Sequence, residues 1–319
     1  MSTTTRELVA DVRRGLGSRP LRLPPKWLYD DAGSELFDAI TRLEEYYPTE
    51  AERAVLAAHA DEIADVCDAA TLVELGSGTS DKTRLLLDAF TDAGRRHGPL
   101  RSFVPLDVAE ATLADAAERI AARHPGLAVT PVVGDFTLDL GRLPRGEATG
   151  TRLVAFLGST IGNLYAEERR AFLGALADVL EPGEWLLLGT DLVKPVERLV
   201  AAYDDSSGVT ERFVLNTLRV LNRELDADFD LEAFAYAPLW DHRLQRMDLR
   251  LRSERPQRVT IPGADLVLDL GAGEEIQVEI STKFRLDGVA ADLAEAGLEA
   301  VRTWTDAPGD FGVTLARRR

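Results

Sequence analysis

Gly76 and Gly78 stand behind an apolar run, Leu72, Val73 and Leu75, where a backbone could approach a ligand that a Cβ would meet too early. Thr71 to Leu75 reads as a buried strand and Lys82 onward as a helix, so the glycines lie in a nucleotide-binding turn. A dinucleotide fits poorly. Its fingerprint would place a third glycine at position 81, where this chain carries Asp81. A carboxylate in the first helical turn would repel a pyrophosphate that the helix dipole otherwise attracts. A phosphate-free adenosyl ligand fits better, and S-adenosylmethionine is the commonest. The bland alternative is an ordinary strand-to-helix turn capped by Thr79 and Ser80.

Other residues extend the pattern. Asp107 ends the next strand, where a carboxylate can accept from both hydroxyls of a ribose, although it stands further beyond Gly76 than the usual ~20 residues. The Gly94 to Pro99 turn supplies the excess, and an aspartate at a strand end is also a common turn former. Gly134-Asp135-Phe136 closes a third strand, placing a carboxylate for an adenine amino group beside a ring for the base. Lys82, one turn into the first helix, could pair with a methionyl carboxylate or be a solvated helix residue. Gly158-Ser159-Thr160-Ile161-Gly162-Asn163 follows the fourth strand, and the Asn163 amide could hold a carboxylate or amine, or cap the following helix. In Glu275 to Phe284, Ile276, Val278 and Ile280 alternate with Gln277, Glu279, Ser281 and Lys283, which by period alone share a solvated face.

The elements that must position these residues alternate. Helix Lys82 to Phe90, strand Phe103 to Asp107, helix Ala109 to Arg123, strand Ala128 to Val133, strand Leu153 to Leu157, helix Ala166 to Leu180 and strand Trp185 to Leu188 imply a parallel sheet wound on both faces. The rhythm breaks between Lys194 and about Lys283, where helix Val209 to Arg223 precedes strand-like Arg243 to Arg252 and Glu275 to Phe284, as in an inserted region. Helix Asp287 to Ala296, strand Glu299 to Trp304 and strand Gly312 to Ala316 then close the sheet with a hairpin. A parallel sheet with an antiparallel C-terminal strand is similar to the Rossmann-like sheet of class I methyltransferases, here interrupted by the inserted region. The family resemblance that the blocks below carry implies a second, α+β substrate-binding domain, with 52–193 and 284–319 for the cofactor domain and 1–51 and 194–283 for the substrate domain.

Composition narrows the function classes. With 37 basic and 54 acidic side chains the net charge is −17, which opposes sustained contact with nucleic acid or an anionic membrane and favours a small-molecule substrate. Arg317-Arg318-Arg319 reads as an exposed chain end. Cys67 is the sole cysteine, and His59, His97, His124 and His242 lack ligand spacing, so no metal is expected. Neither a cleavable leader in Met1 to Leu8 nor an apolar stretch of ~18 residues is read, and the expected setting is a monomer in the cytoplasm.

Leu23-Pro24-Pro25-Lys26-Trp27-Leu28-Tyr29-Asp30, Glu45-Tyr46-Tyr47-Pro48-Thr49, Glu74 to Lys82, Phe156 to Asn163 and Glu279-Ile280-Ser281-Thr282-Lys283-Phe284 keep their order across nearly the whole chain. In these blocks the chain resembles the histidine N-alpha-methyltransferases of ergothioneine biosynthesis. The resemblance implies an S-adenosylmethionine-dependent enzyme that methylates the α-amino group of L-histidine three times, giving hercynine. It also implies cofactor positions at Tyr29, Gly76, Lys82, Asp107, Asp135 and Phe136. Asn163 and Tyr203 match residues that hold the substrate carboxylate, and Tyr46, Glu279 and Ser281 those that read the imidazole. Thr210, Phe213 and Met247 match pocket-lining positions, and Gly158 falls in the acceptor loop. Glu44 before Glu45-Tyr46 and the short N-terminal extension depart from the pattern outside the matched contacts.

The chemistry suits these residue types. Methyl transfer is an in-line displacement at carbon, so holding nitrogen, methyl and sulfonium collinear matters more than a nucleophilic side chain. The attacking amine must be neutral, and an ordinary α-amino pKa of about 7.7 to 8.0 needs only a modest shift. Tyr29 is the candidate catalytic residue, accepting from the amine and later facing a trimethylammonium through cation–π attraction. Two readings compete: an acceptor that is another aromatic amino acid or related amine, and a non-catalytic binding protein on the same fold.

Overall fold

A computed structural model describes residues 3–91, 99–143 and 150–319. The Gly94 to Pro99 turn, Pro99 apart, lies outside the described residues. From the N-terminus come α1 (Thr3–Leu16), β1 (Leu21–Arg22), α2 (Asp31–Ile40), α3 (Pro48–Cys67), β2 (Thr71–Leu75), α4 (Thr83–Phe90) and β3 (Ser102–Asp107). Then follow α5 (Glu110–Arg123), β4 (Ala128–Val129), β5 (Val132–Val133), β6 (Arg152–Phe156), α6 (Ala166–Val179), β7 (Trp185–Asp191), α7 (Val196–Tyr203) and α8 (Val209–Leu225). The chain continues through β8 (Phe234–Asp241), β9 (Arg246–Ser253), β10 (Gln257–Ile261), β11 (Leu266–Leu270), β12 (Glu275–Thr282), α9 (Leu286–Glu295), β13 (Leu298–Thr305) and β14 (Phe311–Arg318). These elements form two compact units, Met1–Tyr47 with Lys194–Thr282 and Pro48–Val193 with Lys283–Arg319.

The unit that contains the glycine turn is built on an eight-stranded sheet among the described residues, ordered β13-β14-β7-β6-β2-β3-β4, with β5 also on β3. β3, β2, β6 and β7 run parallel, while β14 and β13 are antiparallel. β2 and β6 are buried at every position, which is why they read as continuous apolar runs. From β2 the chain steps to β3 on one side and later to β6 on the other. Gly76, Asp107 and Gly158 therefore lie at the carboxyl ends of adjacent strands at a topological switch point. The expected strand Ala128 to Val133 is split into β4 and β5, because Pro131 has no N–H to give the ladder.

In the other unit, β12 lies between β1 and β9, with β8 at the edge. α1, α2, α7 and α8 supply Leu8, Val12, Ile40, Leu199, Phe213, Val214 and Leu218 to one apolar core with Met247, Leu249, Leu251, Ile276 and Val278. The expected strand Arg243 to Arg252 starts later: Asp241 Oδ1 accepts the main-chain N–H groups of Arg243 (2.8 Å) and Leu244 (2.9 Å), and Gln245 has φ 50°, so the chain turns before β9. No helix among the described residues is long and apolar enough to cross a membrane, and none of them forms a cluster of metal-ligating side chains.

Candidate active site

Gly76 and Gly78 both have positive φ, 67° and 48°, as a turn that bends the backbone toward a ligand requires. A Cβ at Gly78 would meet nothing within 4 Å, so the turn opens to free space, whereas one at Gly76 would lie 3.6 Å from the Phe136 ring. Phe136 itself stands edge-on to Phe156, with centroids 5.0 Å apart. Asp107 braces the turn from the neighbouring strand: Oδ2 accepts from Gly78 N at 2.8 Å and Oδ1 from Ala109 N at 2.9 Å. Each oxygen keeps a lone pair for a diol, so one carboxylate can shape the loop and receive a ribose. Asp135 Oδ1 accepts from Thr137 N (2.8 Å) and Thr137 Oγ1 (2.6 Å), holding Phe136 in a tight turn. An open glycine turn, a diol acceptor and an aromatic face make a cradle that fits an adenosyl group.

Behind the turn lie charges that the sequence did not reveal. α4 starts at Thr83, so Lys82 is its N-cap residue rather than one turn inside, and Asp81 precedes the helix. Thr79 and Ser80 do not cap α4: Thr79 Oγ1 donates to Asp81 Oδ2 at 2.9 Å and Ser80 Oγ to Glu74 Oε2 at 3.2 Å. Glu74 also accepts from Thr83 Oγ1, and burial pushes its carboxyl up to about 8 against those bonds and the nearby Lys82 charge. The Lys82 ammonium pairs with Glu52 of α3, whose two oxygens also lie 2.9 Å from Gly158 N. Asn163 ends the short 3₁₀ turn Thr160–Asn163, and the N-cap of α6 falls to Tyr165.

In the other unit the polar face expected along β12 is rearranged. Between Gln277 and Glu279 the pairing with β9 slips at a bulge. Glu275 and Gln277 oppose Arg252 and Arg250, but Glu279 opposes Leu249 and Ser281 opposes Met247. Glu279 and Ser281 therefore share the face of Ile276, Leu249 and Met247, not that of Gln277. Nor is that face solvated: Glu279 is 8 % and Ser281 5 % exposed. β8 adds Tyr236, opposite Leu251, and Trp240, opposite Met247, to the same face.

An aromatic chain stands over these residues. Tyr29 meets Phe37 and Phe213 edge-on at 5.4 and 5.2 Å, Phe37 meets Tyr46 at 6.2 Å, and Tyr46 meets Tyr203 at 6.3 Å. The Tyr203 hydroxyl is 2.8 Å from Ser281 Oγ, and Tyr236 donates its hydroxyl to the Tyr203 main-chain carbonyl at 2.7 Å. Burial and then the Glu279 charge hold the Tyr236 phenol well above its ordinary value, which places that carboxylate in its neighbourhood. Thr210 lies in the first turn of α8, its N–H bound at 2.8 Å by Asp205, and Met247 is fully buried. The structure thus joins Tyr29, Tyr46, Tyr203, Phe213, Met247, Glu279 and Ser281 in one unit, and Gly76, Lys82, Asp107, Asp135, Phe136, Gly158 and Asn163 in the other. Glu52, Phe37 and Tyr236 escaped the sequence. Only Glu52 left a trace there, an acid spaced with Val55, Leu56, Ile63 and Cys67 on the buried stripe of α3.

Residues 8–318 match the model of a family described as histidine-specific methyltransferase, SAM-dependent. The chain belongs to this family. It is 53 % identical over 308 residues to the histidine N-alpha-methyltransferase of Mycobacterium tuberculosis, covering 97 % of this chain and 94 % of that one. Identity to the Mycolicibacterium smegmatis protein of the same name is also 53 %, over the same shares of both chains. The Neurospora crassa ergothioneine biosynthesis protein 1 is 32 % identical across 90 % of this chain, which spans 32 % of that protein. Membership makes this α/β chain an S-adenosylmethionine-dependent methyltransferase.

Proposed function

We infer that the protein transfers methyl groups from S-adenosylmethionine to the α-amino group of L-histidine, three in succession, to give hercynine in ergothioneine biosynthesis. The observation that carries this reading is the family match across almost the entire chain. When bound, the donor supplies an electrophilic methyl on sulfonium.

The chain's own residues bind and orient. Asp107 accepts the ribose hydroxyls, Phe136 and Asp135 take the adenine, Gly76 gives the backbone its approach, and Lys82 meets the methionyl carboxylate. Glu279 and Ser281 accept from or donate to the two imidazole nitrogens, with Tyr46 beside them. Tyr203 is assigned to the substrate carboxylate, Gly158 and Asn163 to the acceptor, and Thr210, Phe213 and Met247 to the walls. Tyr29 offers its oxygen to the amine and its ring to the growing ammonium charge. After the first and second transfers the nitrogen must lose a proton before it can attack again; the third leaves a quaternary ammonium with none to lose. The buried polar pair Glu279 and Ser281 supports selectivity, since an apolar side chain in place of imidazole would be desolvated against them without gaining a hydrogen bond.

Mass spectrometry of purified protein with S-adenosylmethionine and the common amino acids tests the proposal. Histidine alone should gain methyl groups, ending at three. No methylated histidine, or equal methylation of other amino acids, would overturn it.

A further inference from the structure

Glu52 has no part in the roles assigned above, yet it is the most deeply buried carboxylate around the glycine turn, at 0 % exposure. A charge so placed persists only when paired and hydrogen-bonded. Its partners are two residues already assigned to ligands: the ammonium of Lys82, itself 22 % exposed, and the main-chain N–H of Gly158. The surroundings are shaped to admit it. A Cβ at Gly189 on β7 would lie 2.1 Å from Glu52 Oε1, so glycine there leaves the carboxylate its space. A Cβ at Gly158, where φ is 72°, would stand 3.6 Å from Lys82 Nζ, which puts the ammonium directly against the acceptor loop. Glu52 takes one of the three ammonium hydrogens, and two remain for a ligand.

We propose that Glu52 is a positioning residue for the methyl donor, pinning the Lys82 ammonium beside Gly158 so that it meets the methionyl carboxylate. The proposal rests on the assignment of Lys82 to the donor. Glu52→Gln keeps an oxygen for the Gly158 N–H but removes the ionic hold on Lys82, which can then swing toward solvent.

Calorimetric titration with S-adenosylhomocysteine and with 5′-deoxy-5′-methylthioadenosine, which lacks the amino-acid portion, separates positioning from mere structural support. Glu52→Gln should weaken S-adenosylhomocysteine about tenfold, the scale of one hydrogen bond to a charged group. Methylthioadenosine affinity should stay within about twofold, and Lys82→Met with Glu52→Gln should be no worse than Lys82→Met alone. Equal losses for both ligands, no loss for either, or losses that multiply in the double variant would overturn the proposal. If Glu52→Gln does not fold, Glu52→Asp, which draws the carboxylate back by one methylene, is read by the same ligand pair: selective loss of S-adenosylhomocysteine supports the proposal and unchanged affinity overturns it. Wild-type protein that binds S-adenosylhomocysteine but leaves histidine unmethylated counts against the functional reading alone.

Discussion

The Tyr203 hydroxyl and Ser281 Oγ lie 2.8 Å apart, buried, and join the last residue of α7 to the strand that carries Glu279. Each hydroxyl can donate to the other and still face a ligand. Tyr203→Phe and Ser281→Ala should each raise the histidine KM about tenfold, as expected when a buried hydrogen bond is removed. Because the two share one bond, the double variant should lose less than the product of the single losses. Steady-state kinetics at saturating donor reads this directly, and strictly multiplicative losses would sever the two residues.

Tyr236 acts on the same pair from behind. Its hydroxyl holds the carbonyl that ends α7, so it fixes where the Tyr203 ring begins. Tyr236→Phe is expected to cost about 1 kcal/mol in denaturant unfolding, since one buried carbonyl loses its donor. It should raise the histidine KM and leave donor affinity unchanged. An unaltered KM alongside the stability loss would confine Tyr236 to support.

Glu279 is the sharpest test of acceptor choice. Glu279→Ala removes the one carboxylate that the β12 bulge turns onto the face of Met247 and Ser281. Histidine KM should rise roughly ten- to a hundredfold, matching about 1–3 kcal/mol for a lost buried partner. The affinity for S-adenosylhomocysteine should not change. Histidine turnover equal to wild type would remove the imidazole assignment.

The parallel sheet was legible because β2, β6 and β7 are buried at every position and each helix has its own period, so no partner need be known to recognise them. Gly76, Asp107 and Phe136 were legible for a related reason: they close their strands, and strand ends are visible locally. What depended on a partner was hidden. The β12 alternation holds from Glu279 to Ser281 but breaks between Gln277 and Glu279, because a bulge exists only relative to β9. β8 went unread with Pro238 in its middle, which the sheet tolerates because β8 is an edge strand. Glu52 reaches Gly158 across 106 residues, and no local pattern records such a bond. The short N-terminal strand β1 gave no signal either, being two residues long and held by β12.

Glu74 gives the fold a pH dependence whose sign can be worked out. Burial raises its carboxyl from the ordinary 4.5 to about 8 in the folded protein. Below about pH 4.5 both folded and unfolded chains hold the proton, and the full contribution is present. As pH rises toward 8 the unfolded chain releases that proton while the folded one keeps it, so stability falls through this window and levels above it. The change attributable to this one group is on the order of a few kcal/mol. Glu74→Gln, which has no proton to lose and can still accept from Thr83 or Ser80, should flatten that slope. Denaturant unfolding of ligand-free protein at a series of pH values between 5 and 8 measures it. Parallel pH profiles for wild type and Glu74→Gln would show that Glu74 is ionised in the folded chain and that Lys82, not burial, governs its charge.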